Sequence, residues 1–142
     1  YYNLSTVTDV NLGDNHQTAR VLSYTQHQTT TKTIGVYNIH LENGCFPFGR
    51  KIQVEEILEV IESNQDNITI LGGDFNTWGG KRFEPAIQKL TEFGFKDLFP
   101  QLKWGIHGRL DYFFIKGAEY TTAEELKYKG SDHNPIKVIL NI

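Results

Sequence analysis

The stretch ILGGDFNT, residues 70–77, closes an apolar run with two glycines and then delivers an aspartate and an asparagine two positions apart. NITIL, residues 67–71, reads as a short buried strand leading into it. Side chains alternate across a strand, so Ile68, Ile70, Asp74 and Asn76 point to one side as long as the chain stays extended. Read alone, the stretch is a turn, because Asp and Asn are common where strands stop. Its meaning depends on whether polar strand ends recur elsewhere.

They do. Ala19 to Gln28 and Thr31 to Leu41 are rich in β-branched and aromatic residues, which predicts a strand pair with its hairpin tip between Gln26 and Thr33. In the second strand Ile34, Val36, Asn38 and His40 share a face, and Tyr37, Ile39 and Leu41 share the other. ENGCFPFG is turn chemistry. From Arg50 to Ser63 the set Val54, Ile57, Leu58 and Ile61 follows helical spacing, with Glu55, Glu56, Glu59 and Glu62 largely outward. Phe83, Ile87, Leu90 and Phe93 predict a second helix, begun near Pro85 and stopped around Gly94. Lys96 to Gly108 reads as a loop carrying Pro100, Trp104 and His107. LDYFFIKG is a strand, 119–129 is ambiguous, and NPIKVILNI is a closing strand. Residues 1–19 are polar and unpatterned, a loop or an element cut short. The expected fold is α/β, a mixed or antiparallel sheet with flanking helices, in one domain over residues 1–142.

Composition narrows the function classes. The chain has 142 residues, 39% of them hydrophobic and 22% charged, with a net charge of -3. No apolar run nears the roughly 20 residues needed to span a bilayer, and no long basic run advertises a sequence-blind grip on nucleic acid. Cys45 is the only cysteine, which excludes an intrachain disulfide and a cysteine-built zinc site.

Four polar tips thus lie beside strands: Asn38 with His40, Asp74 with Asn76, Arg109 with Asp111, and Ser131-Asp132-His133. Carboxylates, an asparagine and histidines are what phosphoester hydrolysis needs. Hard oxygen ligands hold Mg²⁺, a carboxylate orients and deprotonates water, and donors stabilise charge at phosphorus. VYNIHL, GGDFNT, RLDYFFIKG and SDHNPI, in this order, resemble the later motifs of the endonuclease/exonuclease/phosphatase superfamily, the deoxyribonuclease I-like proteins. The match runs from about Arg20 to Ile142, and Arg50 and Gln53 resemble a pair that opens the helix after the histidine motif.

The resemblance implies the C-terminal part of a deoxyribonuclease I-like four-layer β-sandwich and a Mg²⁺-dependent phosphoester hydrolase, with Mn²⁺ as the other candidate ion. It implies that Asp74 activates the attacking water, and that Asn76 binds the phosphate or a metal. His133, paired with Asp111, would hold the scissile phosphate, Asp132 would help with the metal, and His40 would serve the leaving group with Asn38 in support. The metal set is then Asp74, Asn76 and Asp132. The substrate stays open among nucleic acid, membrane lipid and inositol phosphate, with a slight tilt to a small or lipid-like phosphoester. Family members also carry an early strand ending in asparagine, followed by a glutamate that binds Mg²⁺. Neither motif precedes Ala19, so the chain reads as the part lacking that N-terminal half, poorly active alone and inclined to dimerise or to pair with a complementing N-terminal chain. A non-catalytic binding or scaffold module that keeps the fold is the competing reading. Arg109 is expected in a structural ion pair. His16, His27 and His107 are expected as solvated loop residues, and Trp78 and Trp104 as packing residues.

Overall fold

A computed structural model of the chain describes residues 2–4, 20–43, 47–77, 84–100 and 109–142. Cys45, Trp78, Trp104, His16 and His107 lie outside the described residues. Strands β1 (Tyr2–Leu4), β2 (Arg20–Gln28), β3 (Thr33–His40), β4 (Ile68–Asp74), β5 (Lys96–Asp97) and β6 (Asp111–Lys116) form one sheet in the order β1-β2-β3-β4-β6-β5. Strands β7 (Glu119–Glu125) and β8 (Ile136–Asn141) form a second, two-stranded sheet. Helices α1 (Pro47–Asn64) and α2 (Glu84–Glu92) complete the described elements. Among the described strands only the β3–β4 pair is parallel, and α1 is the crossover that such a pair requires.

The alternation read from the sequence decides which side of the large sheet each layer covers. Tyr37, Ile39, Leu71 and Phe114 turn to the helices and join Val54, Ile57, Ile61 and Leu90 in the main core. On the opposite face Phe113 and Ile115 pack against Tyr120, Ala123, Ile136, Val138 and Leu140 of the small sheet. The described elements therefore stack as helices, large sheet and small sheet. This is the expected α/β architecture, with a second sheet laid against the first.

At four places the local structure settles or corrects the sequence reading. Residues 2–4 form β1, because their backbone pairs with Arg20 to Leu22 at the edge of the sheet. The loop expected from Lys96 opens with β5, whose two residues pair with Phe114 and Ile115. Residues 119–125 resolve as a strand, because Tyr120 and Ala123 have an apolar partner layer to face. The chain also does not stay extended to Asn76. The strand ends at Asp74, and Asn76 takes a φ of 50°, a left-handed conformation that asparagine tolerates better than most residues.

The second helix ends as expected. Gly94 has a φ of 97°, its N–H donates to the Thr91 carbonyl, and the Phe95 N–H donates to the Leu90 carbonyl. This is the paired C-cap in which glycine reverses the chain and brings Phe95 back onto Leu90 in the core.

Candidate functional site

Register brings the polar tips together. His40 is paired with Asp74 across the parallel β3–β4 ladder, and Asp74 with Asp111 across the antiparallel β4–β6 ladder. The three side chains therefore stand in one row on adjacent strands. The His40 Nε2 lies 3.6 Å from Asp74 Oδ2. From the loop before β8, His133 Nδ1 reaches Asp111 Oδ2 at 2.7 Å. An ionised carboxylate only accepts, so Nδ1 carries the proton and Nε2 is the ring's other polar edge.

Electrostatics follow from this contact. The hydrogen bond to Asp111 holds the His133 imidazole above the ordinary histidine range, and the carboxylates of Asp111, Asp74 and Asp132 add to it against some burial. Burial pushes the Asp111 carboxyl up and Asp74 adds repulsion, while the bond to His133 and the Arg109 charge pull it back. Both partners thus hold protons more tightly than when free.

The strand ends that carry these groups are pinned by buried polar side chains. The Asn76 backbone N–H donates to Asp74 Oδ1 at 2.8 Å, and its side-chain amide donates to the Leu41 carbonyl at 2.7 Å. From α1, Gln53 Oε1 accepts the Glu42 N–H at 3.0 Å, and Arg50 donates to the Glu42 carbonyl at 2.7 Å. All three side chains are buried, and they hold the backbone just past His40. A second set ties residues 109–111 to 75–77. Phe75 N–H donates to the Leu110 carbonyl, and the Thr77 hydroxyl donates to the Arg109 carbonyl. Arg109 is in the expected ion pair, with both terminal nitrogens on Asp97.

The remaining candidates fall at the margins. Asn38 is exposed and, with Val36, Ile70, Gly72, Phe113 and Ile136, lines a cavity of about 260 Å³ that His133 and Asp111 also border. Asp132 is exposed on the Ser131–His133 turn, where the His133 N–H donates to the Ser131 hydroxyl. Thr77 and Asp97 carried no signal in the sequence reading. Each acts through long-range contacts, which leave no periodic trace. His27 is exposed, as expected, but it lies in strand β2 opposite Ile34 and not in a loop.

Among the described residues, Asp74, Asp111 and His133 offer ligand atoms within 4.8 Å of one another. Two carboxylates at this spacing fit a hard divalent cation that completes its shell with water and phosphate oxygens. Asp111 Oδ2 and Asp74 Oδ1 accept hydrogen bonds from His133 and from the Asn76 backbone, and each carboxylate keeps further lone pairs for an ion.

No protein-family model matches the chain. Two UPF0294 proteins from strains of Vibrio vulnificus are 32% identical to it over 109 residues, which is 72% of this chain and 38% of theirs. The chain thus spans well under half the length of these curated relatives. Among solved structures, an endonuclease/exonuclease/phosphatase of Bacteroides vulgatus superposes with a TM-score of 0.70 at 18% identity, over 87% of this chain and 56% of that one. A mannosyl-6-phosphatase of Bacteroides thetaiotaomicron superposes with a TM-score of 0.63 at 16% identity, over 87% and 58%. The chain has the fold of the endonuclease/exonuclease/phosphatase proteins, over a little more than half the length of each of these two structures.

Proposed function

We propose that this chain carries the phosphate-handling residues of a divalent-metal-dependent phosphoester hydrolase, acting with Mg²⁺ or Mn²⁺ and with an N-terminal part that completes the metal site. The observation that supports this reading most is the row of His40, Asp74 and Asp111 across three adjacent strands, with His133 bonded to Asp111. Asp74 orients a water and takes its proton as the water attacks phosphorus. His133, kept cationic by Asp111, donates to a phosphate oxygen and offsets charge that grows in the transition state. His40 supplies the proton that the departing oxygen needs. Asp74 and Asp111 would hold the cation, with Asp132, beside His133 in sequence, to assist. The ion, when bound, draws charge from the phosphate oxygens. Asn38 faces the substrate side, whereas Asn76 acts through Leu41 and Asp74.

The substrate belongs to the phosphomonoesters or phosphodiesters. Sugar phosphates, phospholipid headgroups, inositol phosphates and nucleic acid are its chemical range. A panel of bis-p-nitrophenyl phosphate, mannose 6-phosphate, sphingomyelin, inositol phosphates and plasmid DNA, each with Mg²⁺, identifies it. Asp74→Ala is expected to lower turnover of the accepted substrate by roughly a hundredfold to ten-thousandfold. Unchanged turnover in that variant would remove the proposal.

A further inference from the structure

The dyad of Asp111 and His133 stands on a strand whose first residue is held by a guanidinium. Arg109 Nε donates to the Asp111 carbonyl at 2.7 Å. Its terminal nitrogens donate to both oxygens of Asp97, at 2.5 and 2.8 Å. Its plane lies 3.9 Å over the Tyr112 ring, and its own carbonyl accepts from the Thr77 hydroxyl. The Arg109 side chain is only 9% exposed, and each guanidinium nitrogen is committed to a protein acceptor. Three of its five N–H donors are spent on protein acceptors, and its burial keeps the guanidinium turned to the protein. What it controls is the backbone at Asp111, and through it the direction of the carboxylate that meets His133.

Asp97 is the anchor of this arrangement. It sits at the end of β5, opposite Phe114, and also accepts the Phe99 N–H at 3.0 Å. A bidentate fork fixes orientation as well as charge, which an ammonium cannot do. We infer that Asp97 and Arg109 are positioning residues for the Asp111–His133 dyad: they aim it, and they touch neither substrate nor metal. The inference rests on the hydrolase reading for its effect on rate, but its geometric content stands apart from activity.

The test uses Arg109→Lys, which keeps the charge and loses the fork, and Asp97→Asn, which keeps the shape and loses the charge. Proton NMR of the metal-free protein reads the His133 Nδ1–H resonance, which a short bond to Asp111 moves far downfield. Asp111→Asn identifies that signal by removing it. Both positioning variants are expected to broaden or lose the signal while the remaining spectrum stays folded. Where hydrolysis of bis-p-nitrophenyl phosphate with Mg²⁺ is measurable, kcat is expected to fall roughly tenfold to a hundredfold with KM little changed. An intact signal in both folded variants overturns the inference, and so does an unchanged kcat. If Arg109→Lys fails to fold, Asp97→Asn and Thr77→Val decide by the same resonance. A fully active Asp74→Ala protein refutes the hydrolase reading, and the resonance still decides whether Arg109 aims the dyad.

Discussion

His133, from the loop between β7 and β8, and Asp111, at the start of β6, meet at 2.7 Å, and their bond sets how each handles a proton. Both groups are shifted upward, His133 from 6.5 by the hydrogen bond and Asp111 from 3.8 by burial. A native state that binds protons more tightly than the unfolded chain loses stability as pH rises. Asp111 contributes that loss as pH climbs from its ordinary value through its raised one. His133 stabilises fully below 6.5 and loses its contribution as pH rises through its folded value. Asp111→Asn is therefore expected to return the His133 titration toward 6.5, read from its ring protons by NMR, and to flatten the fall of the thermal midpoint above that pH. A His133 midpoint unmoved by Asp111→Asn would show that the bond is not formed in solution. These residues were legible because histidine and aspartate stood at strand ends in recognisable company. The inward turn of Asn76 was not, since the shared face of Asp74 and Asn76 held only for a chain that stays extended. A doubled glycine before Asp-Phe-Asn was the available hint that the backbone would leave the extended region there.

At the scale of the element, two glycines separate conformational strain from collision. Gly94 caps α2 with a φ of 97°, and an added Cβ would meet only the end of the Lys116 side chain, at 3.7 Å. Gly94→Ala is expected to cost about 1 kcal/mol, the strain of the left-handed conformation alone. Gly73 has a φ of 134°, and its Cβ would fall 1.9 Å from the Ile39 carbonyl oxygen. Gly73→Ala is therefore expected to destabilise the chain by clearly more than about 1 kcal/mol. It should also weaken the β3–β4 ladder that aligns His40 with Asp74. Urea unfolding midpoints compare the two variants, and equal losses would refute the collision. The helices and most strands could be read from spacing, because burial imposes a period of 3.6 or 2. Strand β5 could not, since two residues held by one neighbour create no pattern.

For the whole molecule, the core lies between α1, α2 and the large sheet, and Phe114 sits in it with no exposure. Phe114→Ala is expected to cost about 3–5 kcal/mol, measured by denaturant titration. Mg²⁺ should raise the thermal midpoint in proportion to the logarithm of its concentration once binding sets in. Asp74→Ala should abolish that rise, and persistence of the rise would place the ion elsewhere. What the sequence left unsaid at this scale was register. The motifs indicated four polar strand ends, but the row of His40, Asp74 and Asp111 exists only because β3 and β4 run parallel and β6 runs against them. Pairing of that kind depends on the path of the entire chain.

That same path sends His40, Asp74 and Asp111 to one rim of the large sheet and puts a plain reversal at residues 29–32 on the other, closed by the Thr29 N–H on the Lys32 carbonyl. Strand β3 separates the two rims by about 23 Å at its rise per residue. A dye, tether or surface linker attached at the exposed Thr31 should therefore leave the reactive edge unhindered, which makes the hairpin a handle for immobilising or labelling the protein.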